Sequence, residues 1–121
     1  MKTYLSCLMV FLLWACNKKN TEPLSDLELN KIKWEALAID SYTYTFQIRC
    51  FCLIEATLPK SVEVSNGKII TVNKVAYDSE AHWGVMTIPQ LFDRIEQAEE
   101  NNSFVTQVSY HPEKGYPTSL Y

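Results

Sequence analysis

The chain has 121 residues, 47% hydrophobic and 21% charged, which makes one small globular domain and leaves no room for a second. Its formal net charge is −3, and Lys and Arg are scattered along it. That excludes nucleic acid as a partner, because phosphate binding needs grouped cations.

Met1-Lys2-Thr3-Tyr4 is a short basic start, and residues 5–15 are an apolar run too short to cross a bilayer as a helix. The run ends in Leu13-Trp14-Ala15-Cys16. An apolar residue three places before a cysteine, with a small residue directly before it, resembles the lipobox of bacterial lipoproteins. Residues 1–15 are therefore expected to be a cleaved lipoprotein signal peptide and Cys16 the acylated first residue that follows. Each buried methylene contributes about 0.8 kcal/mol, so several acyl chains hold a protein at a membrane without spanning it. The expected address is the bacterial cell envelope, outside the cytoplasm. Residues 17–23 are polar and aperiodic, and read as a flexible tether to a single domain over 24–121.

Ser25 and Glu28 have the spacing of a capping box, which predicts a helix over about 26–38. Leu29, Ile32, Ala36 and Ile39 recur every three or four residues and predict its apolar stripe, with Trp34 off that stripe and covering a sheet edge. Asp40-Ser41 makes a corner into residues 42–54, YTYTFQIRCFCLI, the longest two-periodic run in the chain. As a strand it sets Tyr42, Tyr44, Phe46, Ile48, Cys50, Cys52 and Ile54 on one face. Pro59 marks a strand start, and Asn66-Gly67 between two β-rich runs predicts a tight hairpin with Val64 facing Ile69 and Val62 facing Thr71.

Residues 76–86 show no sustained period and read as a loop. Thr87 and Gln90 repeat the capping-box spacing, and Ile88, Leu91, Phe92, Ile95 and Ala98 then mark an amphipathic helix ending at Asn101-Asn102. Residues 104–110 alternate as a strand, His111 to Gly115 form a turn, and 116–121 return as an edge strand. The order helix, three strands, helix, two strands predicts an α+β two-layer domain: an antiparallel sheet of about five strands with two helices on one face.

Trp34, the strand Y-T-Y-x-F-x-x-x-C-x-C, Val62-Glu63-Val64 with Asn66-Gly67, Thr87-Ile88 with Leu91-Phe92 and Ile95, and Val108-Ser109-Tyr110 leading to Gly115-Tyr116-Pro117 together resemble the bacterial family known as domain of unknown function 6174. The resemblance spans residues 34–120, and its most specific pieces are C-x-C and G-Y-P. It implies a small exported protein or lipoprotein, and it supplies no mechanism. His111 stands where the family usually has an acidic residue. Family members tend to continue past G-Y-P into another strand, whereas this sequence stops at Tyr121, so a sheet edge is expected to be open or completed by a partner.

Once Cys7 has left with the leader and Cys16 is lipidated, Cys50 and Cys52 are the two cysteines open to chemistry. On an extended strand their Cα atoms stand about 6.6 to 6.8 Å apart, beyond the preferred disulfide range of about 5.5 to 6 Å, so a bond between them requires a bend. Three readings stand: a structural disulfide in an oxidising compartment, two reduced apolar residues, or a redox or metal-handling pair. A metal needs more ligands, and the histidines His82 and His111 fall in a loop and a turn with no linking motif. Trp83, Tyr110 and Tyr116, at loops or strand ends, are the candidate contacts for a ligand or partner, with core padding as the alternative.

Glycine is too sparse for a phosphate loop or a nucleophile elbow, no cofactor is called for, and Asp78, Glu80, Glu99 and Glu100 read as solvated. The sequence thus points to a membrane-anchored, non-enzymatic domain that binds an envelope protein or small ligand. Thiol redox or metal handling at Cys50-x-Cys52 is the competing function.

Overall fold

Ser25 starts the first helix as its spacing implies. Its hydroxyl accepts from Glu28 N at 3.2 Å while Ser25 N donates to the Glu28 carboxylate at 2.8 Å, the reciprocal capping box. Helix α1 follows at Asp26–Ala36 in this computed structural model, which describes residues 22–102 and 107–120. The leader, Cys16, the tether before Glu22, residues 103–106 and Tyr121 lie outside the described residues.

The face that α1 buries is not the predicted stripe. Leu27 and Trp34 are buried, whereas Leu29 and Ile32 are 44% and 52% exposed and Ala36 and Ile39 are also exposed. Trp34 seats edge-on against Tyr42 at 5.2 Å and against Tyr116 at 6.0 Å. One indole removes more apolar area from water than any residue of the stripe. It therefore sets the rotation of the helix, and Leu27, two turns earlier on the same face, goes in with it.

Strand β1 covers Tyr42–Phe46 only, not the full two-periodic run to Ile54. Its antiparallel partner β2, Lys60–Ser65, begins directly after Pro59, and Phe46 opposite Lys60 is the last pair. Proline has no N–H to give, so the ladder ends there. The chain from Gln47 leaves the sheet, turns through the two cysteines and forms a single helical turn, α2, at Ile54–Thr57.

Strand β3 is Lys68–Val72, joined to β2 by Asn66 and Gly67 at φ 50° and 74°, the positive values that the hairpin turn needs. Val64 faces Ile69 as predicted, but a bulge then shifts the register, so that Glu63 faces Thr71 and Val62 faces Val72 instead of Thr71. The extra residue turns Val72 inward and Ile70 outward. A two-residue strand β4, Val75–Ala76, extends the sheet to the order β1-β2-β3-β4. It was not legible in the sequence because Asn73 and Lys74, at φ 51° and 65°, make the turn without a glycine. Asn73 is held there by Ser61, whose N–H donates to its Oδ1 at 2.9 Å and whose carbonyl accepts its N–H at 2.7 Å.

Helix α3, Ile88–Glu100, follows the sequence closely. Thr87 and Gln90 form the second capping box, and Ile88, Phe92 and Ile95 are buried. Strands β5, Val108–Tyr110, and β6, Pro117–Leu120, pair with each other in a separate two-stranded sheet, so the α+β class stands while the strands divide four and two. Their aromatic residues are drawn to the helices: Tyr110 stacks on Phe92 and Tyr116 meets Trp34. Gly115, at φ +78°, lies flat on α1, where a Cβ would run into the Asn30 carbonyl oxygen and approach Lys33 Cβ to 2.8 Å.

Two apolar clusters form the core. Leu27, Trp34, Ile88, Phe92 and Ile95 make one, and Phe46, Val62, Val64, Val72 and Val85 the other, with Tyr42, Tyr44 and Leu91 packed against both. Burial raises the pKa of Tyr42 and of Tyr44 above the usual tyrosine value; the bond from Ile88 N partly offsets this at Tyr42, and the nearby Tyr42 adds to it at Tyr44. The hydroxyls differ. Tyr42 Oη accepts from Ile88 N at 2.9 Å, whereas Tyr44 Oη is buried with no partner among the described residues. Tyr42→Phe is expected to cost about 1 kcal/mol, and Tyr44→Phe to be neutral or stabilising by up to about 1 kcal/mol. Urea unfolding of the two variants checks this, and the reverse order would contradict the assignment.

Candidate functional site

Residues 47–53 form a loop whose base is closed by side chains. Gln47 Nε2 donates to Thr57 O at 3.1 Å, and Lys60 Nζ donates to Ala56 O at 2.9 Å and to Leu58 O at 3.2 Å. Half-buried Ile48 packs on the second core cluster. The neighbouring 77–86 loop reaches it through Gly84, at φ +79°, where a Cβ would stand 3.1 Å from Ile48 Cδ1.

Above that base, Cys50 and Cys52 are joined, with Cα atoms 5.2 Å apart. This is well short of the roughly 6.6 to 6.8 Å of an extended strand, and the bend at residues 50–52 closes the difference. Both cysteines are exposed, as are their neighbours: Phe51 fully, Leu53 at 79% and Ile54 at 76%. The two-periodic run gives no sign of this exposure; the one hint is Pro59, which ends the partner strand.

Trp83 is 61% exposed and faces two hollows. On one side it shares a cleft of about 250 Å³ with Ile48, Leu53, Ala56 and His82. On the other it joins Tyr77, Ile69, Gln90 and Arg94 along a shallow groove of about 930 Å³ between β3 and α3. The 77–86 loop is braced from within. Asp78 Oδ1 accepts from Glu80 N at 2.8 Å and Ala81 N at 3.3 Å, and Asp78 N donates to His82 Nδ1 at 3.1 Å. The bond from Glu80 N, then that from Ala81 N, holds the Asp78 carboxyl below the usual carboxylate range.

Tyr110 and Tyr116 are half-buried and turned toward the first core cluster, so of the three candidate aromatic contacts Trp83 is the most exposed. Burial of Tyr110, then the charges of Glu99 and Asp26, pushes its pKa up to about 12. His111 Nδ1 accepts from Glu113 N at 3.3 Å and Lys114 N at 3.1 Å, and the ring stacks on Tyr116 at 4.9 Å. A carboxylate at that position would accept the same N–H groups. Both histidines thus serve local backbone, and among the described residues no three His, Cys, Asp or Glu converge as a metal site. Among the described residues no helix is long and apolar enough to cross a membrane.

Compared with known families, residues 26–121 match the model described as Family of unknown function (DUF6174). No curated protein and no solved structure matches the chain.

Two outcomes follow from these environments. Because the Tyr110 pKa is raised in the folded state, the folded chain holds a proton that the unfolded chain releases near pH 10, so stability is full below about pH 10 and falls as pH rises toward about 12; urea midpoints across that range, with Tyr110→Phe flattening the slope, check it. At position 111, His111→Asp is expected to stay within about 0.5 kcal/mol of the parent, and His111→Phe, which keeps the stacking face but loses the acceptor, to cost about 1 to 2 kcal/mol. Equal losses in both variants would count against the acceptor role.

Proposed function

The chain belongs to the family of unknown function DUF6174, and on that footing we propose that it is a lipid-anchored protein of the bacterial cell envelope, held by an acylated Cys16, whose domain is a binding module rather than a catalyst. Its contact surface is the end of the sheet where Phe51, Leu53, Ile54 and Trp83 stand. Support comes from the exposure of these four large apolar side chains, on two loops that touch through Ile48 and Gly84 and on the start of α2. Large apolar groups grouped in this way mark interaction sites, whereas single exposed ones carry no such meaning. Aromatic anchors are also the residues that dominate binding energy when buried.

Anchoring and binding fit together. Residues 17–23 at about 3.3 to 3.6 Å each span up to about 25 Å, comparable with the width of a domain whose radius of gyration is about 13 Å. The competing thiol or metal function would rest on the same joined and exposed pair.

The intact mass of the chain recovered from bacterial membranes is expected to equal residues 16–121 plus acyl chains, and Cys16→Ser is expected to leave the leader uncut and the acyl mass missing. An uncut, unacylated amino terminus in the parent chain overturns the anchoring.

A further inference from the structure

We propose that the Cys50–Cys52 pair is a thiol–disulfide exchange site for a dithiol-bearing polypeptide whose apolar segment docks on Phe51, Leu53 and Ile54. The inference goes beyond the binding reading above, taking up the competing thiol function, and rests on the same contact face.

The bond contributes little to the fold. It closes a loop with one residue between the cysteines, the shortest span in this region, and the entropy removed from an unfolded chain by a cross-link falls with loop length. The base of the loop is already closed by Gln47 with Thr57, by Lys60 with Ala56 and Leu58, and by Ile48 in the core. None of these contacts depends on the sulfurs being joined. What the bond does have is access: both cysteines are exposed at the tip, beyond the core.

The surroundings select the partner. A fully exposed Phe51 lies between the two cysteines in the chain, and Leu53 and Ile54 follow directly. Each apolar side chain brought down onto them by a polypeptide removes area from water, and that gain is absent for a small thiol such as glutathione. The clamped base also keeps the two cysteines adjacent after reduction, so closing the ring again is an intramolecular step favoured by proximity.

The chemistry balances within the two molecules. A partner thiolate attacks one sulfur of the pair, forming a mixed disulfide and expelling the other sulfur as a thiolate. A second partner thiolate then attacks the mixed disulfide, which yields the partner's disulfide and leaves Cys50 and Cys52 as thiolates that take up the two protons released by the partner thiols. Two electrons pass from partner to pair. The same steps in reverse, with a partner disulfide as oxidant, reclose the pair.

The full chain purified in detergent, with its pair oxidised, is mixed with a short synthetic peptide carrying two cysteines flanked by Leu and Phe. The peptide is expected to be oxidised on the order of tenfold faster than by an equal concentration of oxidised glutathione, as the pair becomes open to alkylation and far-UV circular dichroism stays unchanged. Replacing both cysteines by serine returns the rate to background. Phe51→Ser with Leu53→Ser removes the advantage of the apolar peptide but leaves the rate for a peptide with serine flanks. A rate no greater than that of oxidised glutathione, a pair that resists excess dithiol, or loss of the fold on reduction overturns the proposal. So does insertion of Phe51 into phospholipid vesicles without exchange, which assigns the loop to a bilayer. A serine-for-cysteine peptide separates the two readings: binding of that peptide without exchange of the parent peptide sinks the exchange site alone, and exchange with no preference for apolar flanks sinks the contact face.

Discussion

Tyr42 makes three interactions at once. Its ring meets Trp34 edge-on, it lies tilted against Tyr44, and its hydroxyl accepts the N–H of Ile88 at the start of α3. The first four N–H groups of a helix have no partner within it, and a side chain from another element is one way to satisfy them. Here that side chain comes from the strand at the sheet's edge, so a single residue fixes the distance from α1 to β1 and from β1 to α3. With Tyr44 and Leu91 it also touches both apolar clusters, which makes two small cores act as one. For a chain with so modest an interior, that coupling replaces the depth that a larger domain would have.

Local chemistry was legible in the sequence wherever it is self-contained. Ser25 with Glu28, Thr87 with Gln90, and Asn66-Gly67 all form what their spacing implies, because each needs only neighbours within a few residues. The failures share a different cause, competition between elements. The α1 stripe loses to Trp34 because Tyr42 and Tyr116 offer that indole a place to bury. The β2–β3 register slips by one because doing so sets Val72, not Thr71, against Val62. The short β4 depends on Asn73 reaching back to Ser61, a contact that no local pattern announces. The single expected sheet divides because Tyr110 and Tyr116 follow the helices.

The candidate site shows the same division. That two cysteines one residue apart need a bend to bond is a matter of strand geometry, readable from the sequence. That the bend stands clear of the sheet has a single hint, Pro59 just before the opposite strand, against an unbroken two-periodic run. One missing N–H thereby links the fold to the candidate site: it ends the ladder at Phe46, releases the two-periodic run from its alternation, and leaves Phe51, Leu53 and Ile54 facing water together. At His111 the ring nitrogen accepts backbone N–H groups that a carboxylate in its place would also accept.

Gly115 seats the β5–β6 turn against the Asn30 carbonyl of α1, and Lys33 beside it donates from Nζ to Pro112 O at 3.3 Å. At Gly115 itself the contact has little slack, since a Cβ there would meet backbone. Residues inserted in the turn would lever Tyr116 off Trp34, and bulk added to α1 at Asn30 or Lys33 would do the same from the other side. Helix and hairpin are therefore constrained together, while the cysteine loop at the sheet's end rests on none of this.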